Sequence, residues 1–364
     1  MLLPSGRVSR ASNRSGRSHE AGSRLTGHPT VFVTSRPPIH QRLALEAAPD
    51  ELDVMMLVSP STDEICAAVA EAEFLISERS GVIDSRIVDA GRGLQLIQRL
   101  GSQAHDIDLD AADAADVPVC TWPVPHSSMV AEHVVMQMLT LAKRAREGSD
   151  VVVAAGDEWG PPQRSDADTF AINWSGRTGI RQIRDSTVGI VGLGEIGTEV
   201  ARLLRIFDCT LLYNRRNRLP DWIEGRLGVS YAALDELLAR SDFVCLLLPH
   251  SPETEGIADA GFVARMRPGS FLISAGASTL LDEEAVAQGY TSGHLAGVAT
   301  DGYRWEPVRS DNPLVVLAAD PRANVVLTPH AAQADLVLNA DLRRGDYTNL
   351  VATLEGRPLR HRLT

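Results

Sequence analysis

Two doubly wound parallel α/β domains, one carried as an insertion in the other, are predicted from three features of the chain. Its 364 residues exceed one ordinary core, its apolar segments of strand length alternate with helical stretches, and a helix-like segment follows the last strand and can return to the first domain. The predicted boundaries are a tail over 1–28, the first part of the outer domain over 29–126, the inserted domain over 127–330 and the return segment over 331–364.

Residues 1–28 set Arg7, Arg10, Arg14, Arg17 and Arg24 against Glu20, among serines and without apolar periodicity, which is the composition of a disordered tail. Organellar transit peptides share that composition, but no amphipathic pattern is present, nor the apolar core of a secretory signal. Strand candidates then occur at Val31–Thr34, Glu73–Ser80 and Leu94–Gln103, with helical stretches between them, and this domain ends near Pro123. Met129–Arg146 reads as one helix, apolar on most sides and rich in methionine, suited to packing between domains or copies rather than to a site. A Gly-, Pro- and Asp-rich stretch, Gly156–Gly179, precedes six further strand candidates: Thr187–Val191, Thr210–Tyr213, Phe243–Leu248, Ser270–Ala275, Ala296–Ala299 and Asn324–Thr328.

Composition excludes several classes. Hydrophobic content of 44% with 23% charged residues is globular, and no apolar run approaches the roughly 20 residues of a membrane span. A net charge of −12 opposes binding to nucleic acid or an anionic membrane, so an anionic ligand must meet local positive charge. Cys66, Cys120, Cys209 and Cys245 are widely spaced without a C-x-x-C pair, as expected of reduced thiols in a cytoplasmic protein, and no metal site is expected.

The run TVGIVGLGEIGTEVARLLRIF, Thr187–Phe207, carries the most chemistry. An apolar strand leads into Gly192, Gly194 and Gly197, and Val200, Leu203, Leu204 and Phe207 then recur at helical intervals. Strand, G-x-G-x-x-G turn and helix together seat a dinucleotide pyrophosphate at a helix N-terminus. An NAD site places an acid on the ribose at the end of the next strand. Here that place holds Asn214, Arg215 and Arg216, with Arg215 18 positions after Gly197, and no acid lies between Asp208 and Asp221. Two guanidinium groups suit a 2′-phosphate, so NADP(H) is the preferred cofactor and NAD(H) remains open. The alternative is a solvated basic loop, since Arg218 is also basic.

Ligands of such sheets lie beyond the carboxyl ends of the strands. Asp301 follows LAGVAT, Glu306 lies in YRWEP, and His330 ends VVLTPH. A histidine after a buried strand with a carboxylate in reach is a general acid/base pair, because the carboxylate orients the ring and favours imidazolium. The other reading is a satisfied histidine at a strand end.

From about Val31 onward the chain resembles the D-isomer-specific 2-hydroxyacid dehydrogenase family. The text that carries the resemblance is RLGSQAHDIDLDAA at 99–112, VAEH at 130–133, GLGEIG at 192–197, FLISAGASTLLDEEAV at 271–286, LAGVATDGYRWEP at 295–307 and LTPHAA at 327–332. The resemblance implies a Rossmann-type cofactor domain inserted in a flavodoxin-like substrate domain. It implies that His330 exchanges a proton with the substrate oxygen, that Glu306 supports it, and that Asp301 holds the nicotinamide carboxamide. It further implies cofactor contacts at Glu195, Ile196, Pro249, Thr254 and Ala275, substrate contacts at Arg79, Ser80, Gly81, Ser102 and Gln103, and a homodimer contact through the helix that VAEH begins.

The chain departs from the family at one place. The arginine that binds the substrate carboxylate is replaced by Ala277. A charge-assisted hydrogen bond contributes about 1.5–3 kcal/mol, so its loss weakens an ordinary 2-oxo acid reaction by orders of magnitude. Three explanations are open: a substrate without that carboxylate, a relocated arginine, or lost redox chemistry. Arg304 and Arg79 are the relocation candidates; Arg304 reads equally as a solvated residue or an ion-pair partner, and Trp305 as pocket lining or packing. The expectation is an NADP(H)-dependent oxidoreductase acting on a small carbonyl or hydroxy compound. The alternative is a nucleotide-binding regulatory or scaffold protein on the same fold.

Overall fold

The computed structural model describes residues 27–78, 81–154, 156, 159–333 and 339–364. It divides into two compact units: residues up to Pro125 together with the segment from Leu336, and His126–Asp335.

The first unit holds a parallel sheet of β1 (His28–Thr34), β2 (Leu52–Val58), β3 (Phe74–Glu78), β4 (Leu96–Leu100) and β5 (Val119–Trp122), in the order β2-β1-β3-β4-β5. Side chains of a strand alternate between faces. Phe32, Phe74, Ile76 and Leu96 therefore pack with Tyr347 and Leu350 of the return segment. Val31, Val33, Leu75 and Ile97 pack on the other face against Ile65, Val69 and Ile87. Most of the expected tail lies outside the described residues, but its last residue, His28, already opens β1, held by its N–H on the Glu51 carbonyl at 2.7 Å. Strands β2 and β5 were not expected. The first is an edge strand on which only Leu52, Val54 and Met56 are buried, although Val54–Val58 is an unbroken apolar run that the sequence reading passed over, and the second is only four residues long.

The return segment, a 3₁₀ stretch Ala340–Tyr347 followed by the helix Thr348–Leu354, is anchored in the first unit. The Tyr347 hydroxyl donates to the Ala44 carbonyl at 2.7 Å, and the buried Asn349 amide donates to Gln98 Oε1 at 2.9 Å. Beneath it lies a buried charge cluster in which Arg343 pairs with Asp346 at 2.6 Å and with Glu78 at 3.1 Å, while Arg36 reaches Glu78 at 3.3 Å.

The second unit holds seven parallel strands: β6 (Thr187–Val191), β7 (Thr210–Asn214), β8 (Val229–Tyr231), β9 (Phe243–Leu246), β10 (Ser270–Ser274), β11 (Leu295–Thr300) and β12 (Val325–Leu327). Their order, β12-β11-β10-β9-β6-β7-β8, reverses direction between β6 and β9, the switch point at which doubly wound sheets bind ligands. One face buries Val188 and Ile190 against Val134, Met138 and Leu141; the other buries Leu246, Leu272 and Val298 against Leu237, Phe262 and Leu314. The short edge strand β8 was not expected. The helix read as Met129–Arg146 is two helices, Pro125–Lys143 and Ala145–Val153. Arg144 takes a left-handed φ of 50° between them, with its guanidinium on the Arg322 carbonyl at 2.8 Å and on Glu147.

Candidate active site

The glycine turn joins β6 to the helix Glu195–Leu204 at the switch point. Gly192 has φ +100°, and a Cβ there would meet the Leu247 carbonyl at 2.9 Å. A Cβ on Gly197 would come within 2.7 Å of the Gly192 carbonyl oxygen, so the helix can approach the strand only without one. At Gly194 a Cβ would meet no protein atom within 4 Å, so its lack of a side chain answers to no intramolecular contact. Gly194 is also the N-cap and supplies no side-chain acceptor to the first helical turn, where Glu195 and Ile196 lie. A helix start of this kind fits a pyrophosphate.

Beyond β7, Asn214 is tied down by its amide on the Ala232 carbonyl at 2.9 Å. Arg218 is held by Glu224 at 2.8 Å and Asp221 at 3.1 Å, and Glu224 also accepts from the Tyr213 hydroxyl at 2.7 Å. Arg215 is half-buried and Arg216 exposed. The Glu253 carboxyl is held below its ordinary range by the Ser251 hydroxyl first and the backbone next, with a further contribution from the Arg216 charge. In the loop after β9, the Thr254 hydroxyl donates to the Pro249 carbonyl at 2.7 Å, and His250 Nδ1 meets Thr279 Oγ1 at 2.8 Å. Ala275, directly after β10, keeps its N–H on the Leu246 carbonyl at 3.3 Å.

The acid/base candidates come together at the same edge of the sheet. His330 Nδ1 lies 2.7 Å from Glu306 Oε2, and Glu306 Oε1 accepts from the Tyr303 N–H at 2.9 Å and from Ser278 Oγ at 3.0 Å. Burial works to raise the Glu306 pKa, but the hydrogen bonds from His330, Tyr303 and Ser278 outweigh it and hold the carboxyl below the usual range. Tyr303 is pushed up to about 12, by burial first and then by Asp301 and Glu306, so its hydroxyl stays neutral and donates to the Thr328 carbonyl at 2.9 Å. Half of the His330 side chain is exposed, leaving its outer edge accessible.

Asp301 is 3% exposed. Its carboxylate accepts from Thr328 Oγ1 at 2.6 Å, the Ala331 N–H at 2.9 Å and the Ala332 N–H at 2.8 Å. Three of its roughly four lone-pair directions are therefore used inside the protein. Arg304 sits in an exposed ion pair, its guanidinium 3.2 Å from Glu255, the ion-pair alternative of the two left open above. Trp305 is 63% exposed and belongs to no core cluster among the described residues.

The substrate residues expected after β3 and β4 lie in the first unit. Gly81 has φ +85° and is exposed, while Ser102 and Gln103 are half-buried in a loop pinned by Arg99, whose Nε lies 2.9 Å from both Asp106 carboxylate oxygens. Arg79 and Ser80 fall outside the described residues. Sequence reasoning missed Ser278, Thr328 and His250. The first adjoins Ala277, so the loop that departs from the family still touches the acid/base pair. Among the described residues no cluster of His, Cys, Asp and Glu could hold a metal ion, and no helix is long and apolar enough to cross a membrane.

Taken together, the second sheet and its glycine turn have the architecture of a dinucleotide-binding protein. A family model described as D-isomer specific 2-hydroxyacid dehydrogenase, NAD binding domain, matches residues 135–332. The chain is 31% identical over 281 residues to a D-3-phosphoglycerate dehydrogenase of Mycobacterium tuberculosis (strain ATCC 25618 / H37Rv), covering 77% of this chain and 49% of that one. It thus spans about half the length of that relative. It is 30% identical over 273 residues to a protein of Staphylococcus aureus (strain MRSA252) named as a 2-hydroxyacid dehydrogenase, covering 75% and 80% of the two chains. A crystal structure of a Pyrococcus horikoshii OT3 protein matches with a TM-score of 0.54 at 27% identity, over 93% of this chain and 95% of the other. A glyoxylate reductase from Paecilomyes thermophila shares the fold, with a TM-score of 0.52 at 23% identity over 91% and 97%. The chain belongs to the D-isomer-specific 2-hydroxyacid dehydrogenase family, and its second unit carries that family's NAD-binding domain.

Proposed function

We propose that the protein is an NADP(H)-dependent oxidoreductase that interconverts a small carbonyl compound and its alcohol, with His330 as general acid/base. The observation that carries this reading is the 2.7 Å contact between His330 and Glu306 at the carboxyl edge of the sheet whose switch point bears the glycine turn. A bound nicotinamide supplies or accepts the hydride. The chain's own part is to hold the pyrophosphate at Gly192–Gly197, with Glu195, Ile196, Asn214, Pro249, Thr254 and Ala275 around the dinucleotide, and to move one proton at the outer edge of the His330 ring. With Nδ1 against Glu306, the carboxylate orients the ring and offsets the positive charge it carries as an acid. Asp301 keeps one lone-pair direction for a carboxamide N–H. Gly81, Ser102 and Gln103 are the proposed substrate contacts of the first unit.

The NADP preference is supported by the lack of an acid after β7 and by Arg215 and Arg216. Arg218, engaged by Glu224 and Asp221, is set aside from that role. Ala277 supports a substrate without the family's usual carboxylate; of the two relocation candidates, Arg304 pairs with Glu255 in an exposed contact and Arg79 lies outside the described residues. Ala277 also favours the second reading, a nucleotide-binding regulatory or scaffold protein. We assign a homodimer to the apolar groove lined by Val135, Met136, Leu139, Leu203, Ile206 and Phe207, in which Ile206 is 78% exposed. A cytoplasmic location is proposed from the four free thiols, of which Cys120 and Cys245 are pushed by burial to about 11 and about 12. The deciding experiment is NADPH titration followed by turnover on a carbonyl panel, with His330→Asn as control. The expected result is retained affinity and turnover lowered at least ~100-fold in that variant. Tight NADPH binding with no turnover of any carbonyl by the unmodified protein would favour the regulatory reading.

A further inference from the structure

His330 takes a left-handed φ of 54°. A non-glycine residue is uncommon there and is held in place by its surroundings. The surroundings that do so reach back to the helix Pro125–Lys143. His133 Nε2 lies 2.9 Å from Thr328 Oγ1 and 3.5 Å from Asp301 Oδ1, and Gln137 Nε2 lies 3.2 Å from the same hydroxyl. His133 and Gln137 are four residues apart, on one helix face.

The protons fix the direction of each bond. A hydroxyl has a single proton, and that of Thr328 goes to Asp301 at 2.6 Å, its shortest contact. Thr328 therefore accepts from both helix side chains, so His133 carries its proton on Nε2. Gln137 must turn its NH2 toward Thr328, which leaves its fully buried Oε1 without a donor among the described residues. An orphaned buried acceptor is costly, and it marks how strongly the amide is recruited as a donor. Asp301, loaded on one oxygen by Thr328, uses both oxygens to grip the N–H groups of Ala331 and Ala332 next to His330.

We infer that His133 and Gln137 are positioning residues for the acid/base loop, acting through Thr328 and Asp301 on the backbone that follows His330. This rests on the proposed role of His330, but its test includes a readout that does not. In the full chain, His133→Leu removes the donor and His133→Gln returns an amide N–H. The expected result is kcat lowered about tenfold or more in the Leu variant, with KM for NADPH within about twofold, and recovery of most of the loss in the Gln variant. Native-state amide exchange at Ala331 and Ala332 should quicken about tenfold in the Leu variant and not in the Gln variant. If His133→Leu does not fold, Gln137→Met, which deletes the second donor, should quicken the same two amides about threefold. Unchanged exchange in the folded variants, or equal losses in His133→Leu and His133→Gln, would overturn the inference. A protein that turns over no carbonyl refutes the proposed function instead, and the two amides still decide the positioning role.

Discussion

Ser278 Oγ and Glu306 Oε1 are 3.0 Å apart, so the residue after Ala277 donates directly to the carboxylate that holds His330. This donor is one of the three that keep Glu306 ionised below the ordinary glutamate range. Removing a donor to the charged form raises an acid's pKa. Ser278→Ala should therefore shift the acidic limb of the kcat/KM profile upward by as much as about one pH unit, with less effect at neutral pH. An unmoved limb would separate the Ser278 contact from catalysis.

The arginines after β7 give the second prediction. Arg215→Ala with Arg216→Ala should weaken NADPH binding by about 2–5 kcal/mol, two charge-assisted contacts, and leave NADH nearly unchanged. Calorimetric titration of both nucleotides checks this, and equal affinity of the unmodified protein for NADPH and NADH removes its basis.

Ala277→Arg is the third. If the natural substrate lacks a carboxylate at that place, the added guanidinium should impair the native reaction and improve reduction of glyoxylate or hydroxypyruvate. Steady-state kinetics on both substrate types reads the outcome. Efficient 2-oxo acid reduction by the unmodified protein, lost on Arg79→Ala or Arg304→Ala, would show instead that an arginine has been relocated.

Asp346 supplies the fourth. Burial pushes its pKa up from 3.8 to about 7 against the pull of Arg343, with Glu78 adding to the rise. Its folded-state pKa exceeds its unfolded one, so the folded form binds a proton that the unfolded form has released. The contribution to stability is complete below about pH 4 and is lost as the pH rises toward about 7. Asp346→Asn, neutral throughout, should flatten that part of the stability curve of the first unit. Denaturant titrations across the range test it; parallel curves for both proteins would place Asp346 outside the linkage.

How much could be read in advance depended on how much of an element's physics is local. Thr187–Val191 was legible to the residue because a buried parallel strand, a glycine turn and an amphipathic helix each leave a pattern in their own few residues. His330, Glu306 and Asp301 were legible as polar residues just past such strands. By contrast β5 and β8 write only short runs of four and three residues, and β2, whose Val54–Val58 is apolar throughout, was passed over although its pattern is in the sequence. At the break Arg144 binds the carbonyl of Arg322, far away in sequence, a contact that no helical pattern reveals. Arg304 carried the same ambiguity: only the fold brings it to Glu255. Ser278 was passed over because serine in a loop is ordinary until Glu306 stands across from it.

The last residues of the chain lie along β5. Leu363 N–H binds the Val119 carbonyl at 2.8 Å, Thr121 N–H binds the His361 carbonyl at 3.0 Å, and the Val119 N–H reaches Thr364 Oγ1 across 245 positions. An exposed strand edge invites pairing with other chains, and here residues 361–364 cover it. The second unit is one continuous stretch, His126–Asp335, whereas the first is completed only by the segment from Leu336 onward, so its β5 edge is covered by residues 240 or more positions away in sequence. Removing residues 361–364 would therefore leave that edge bare and open to pairing with a second chain.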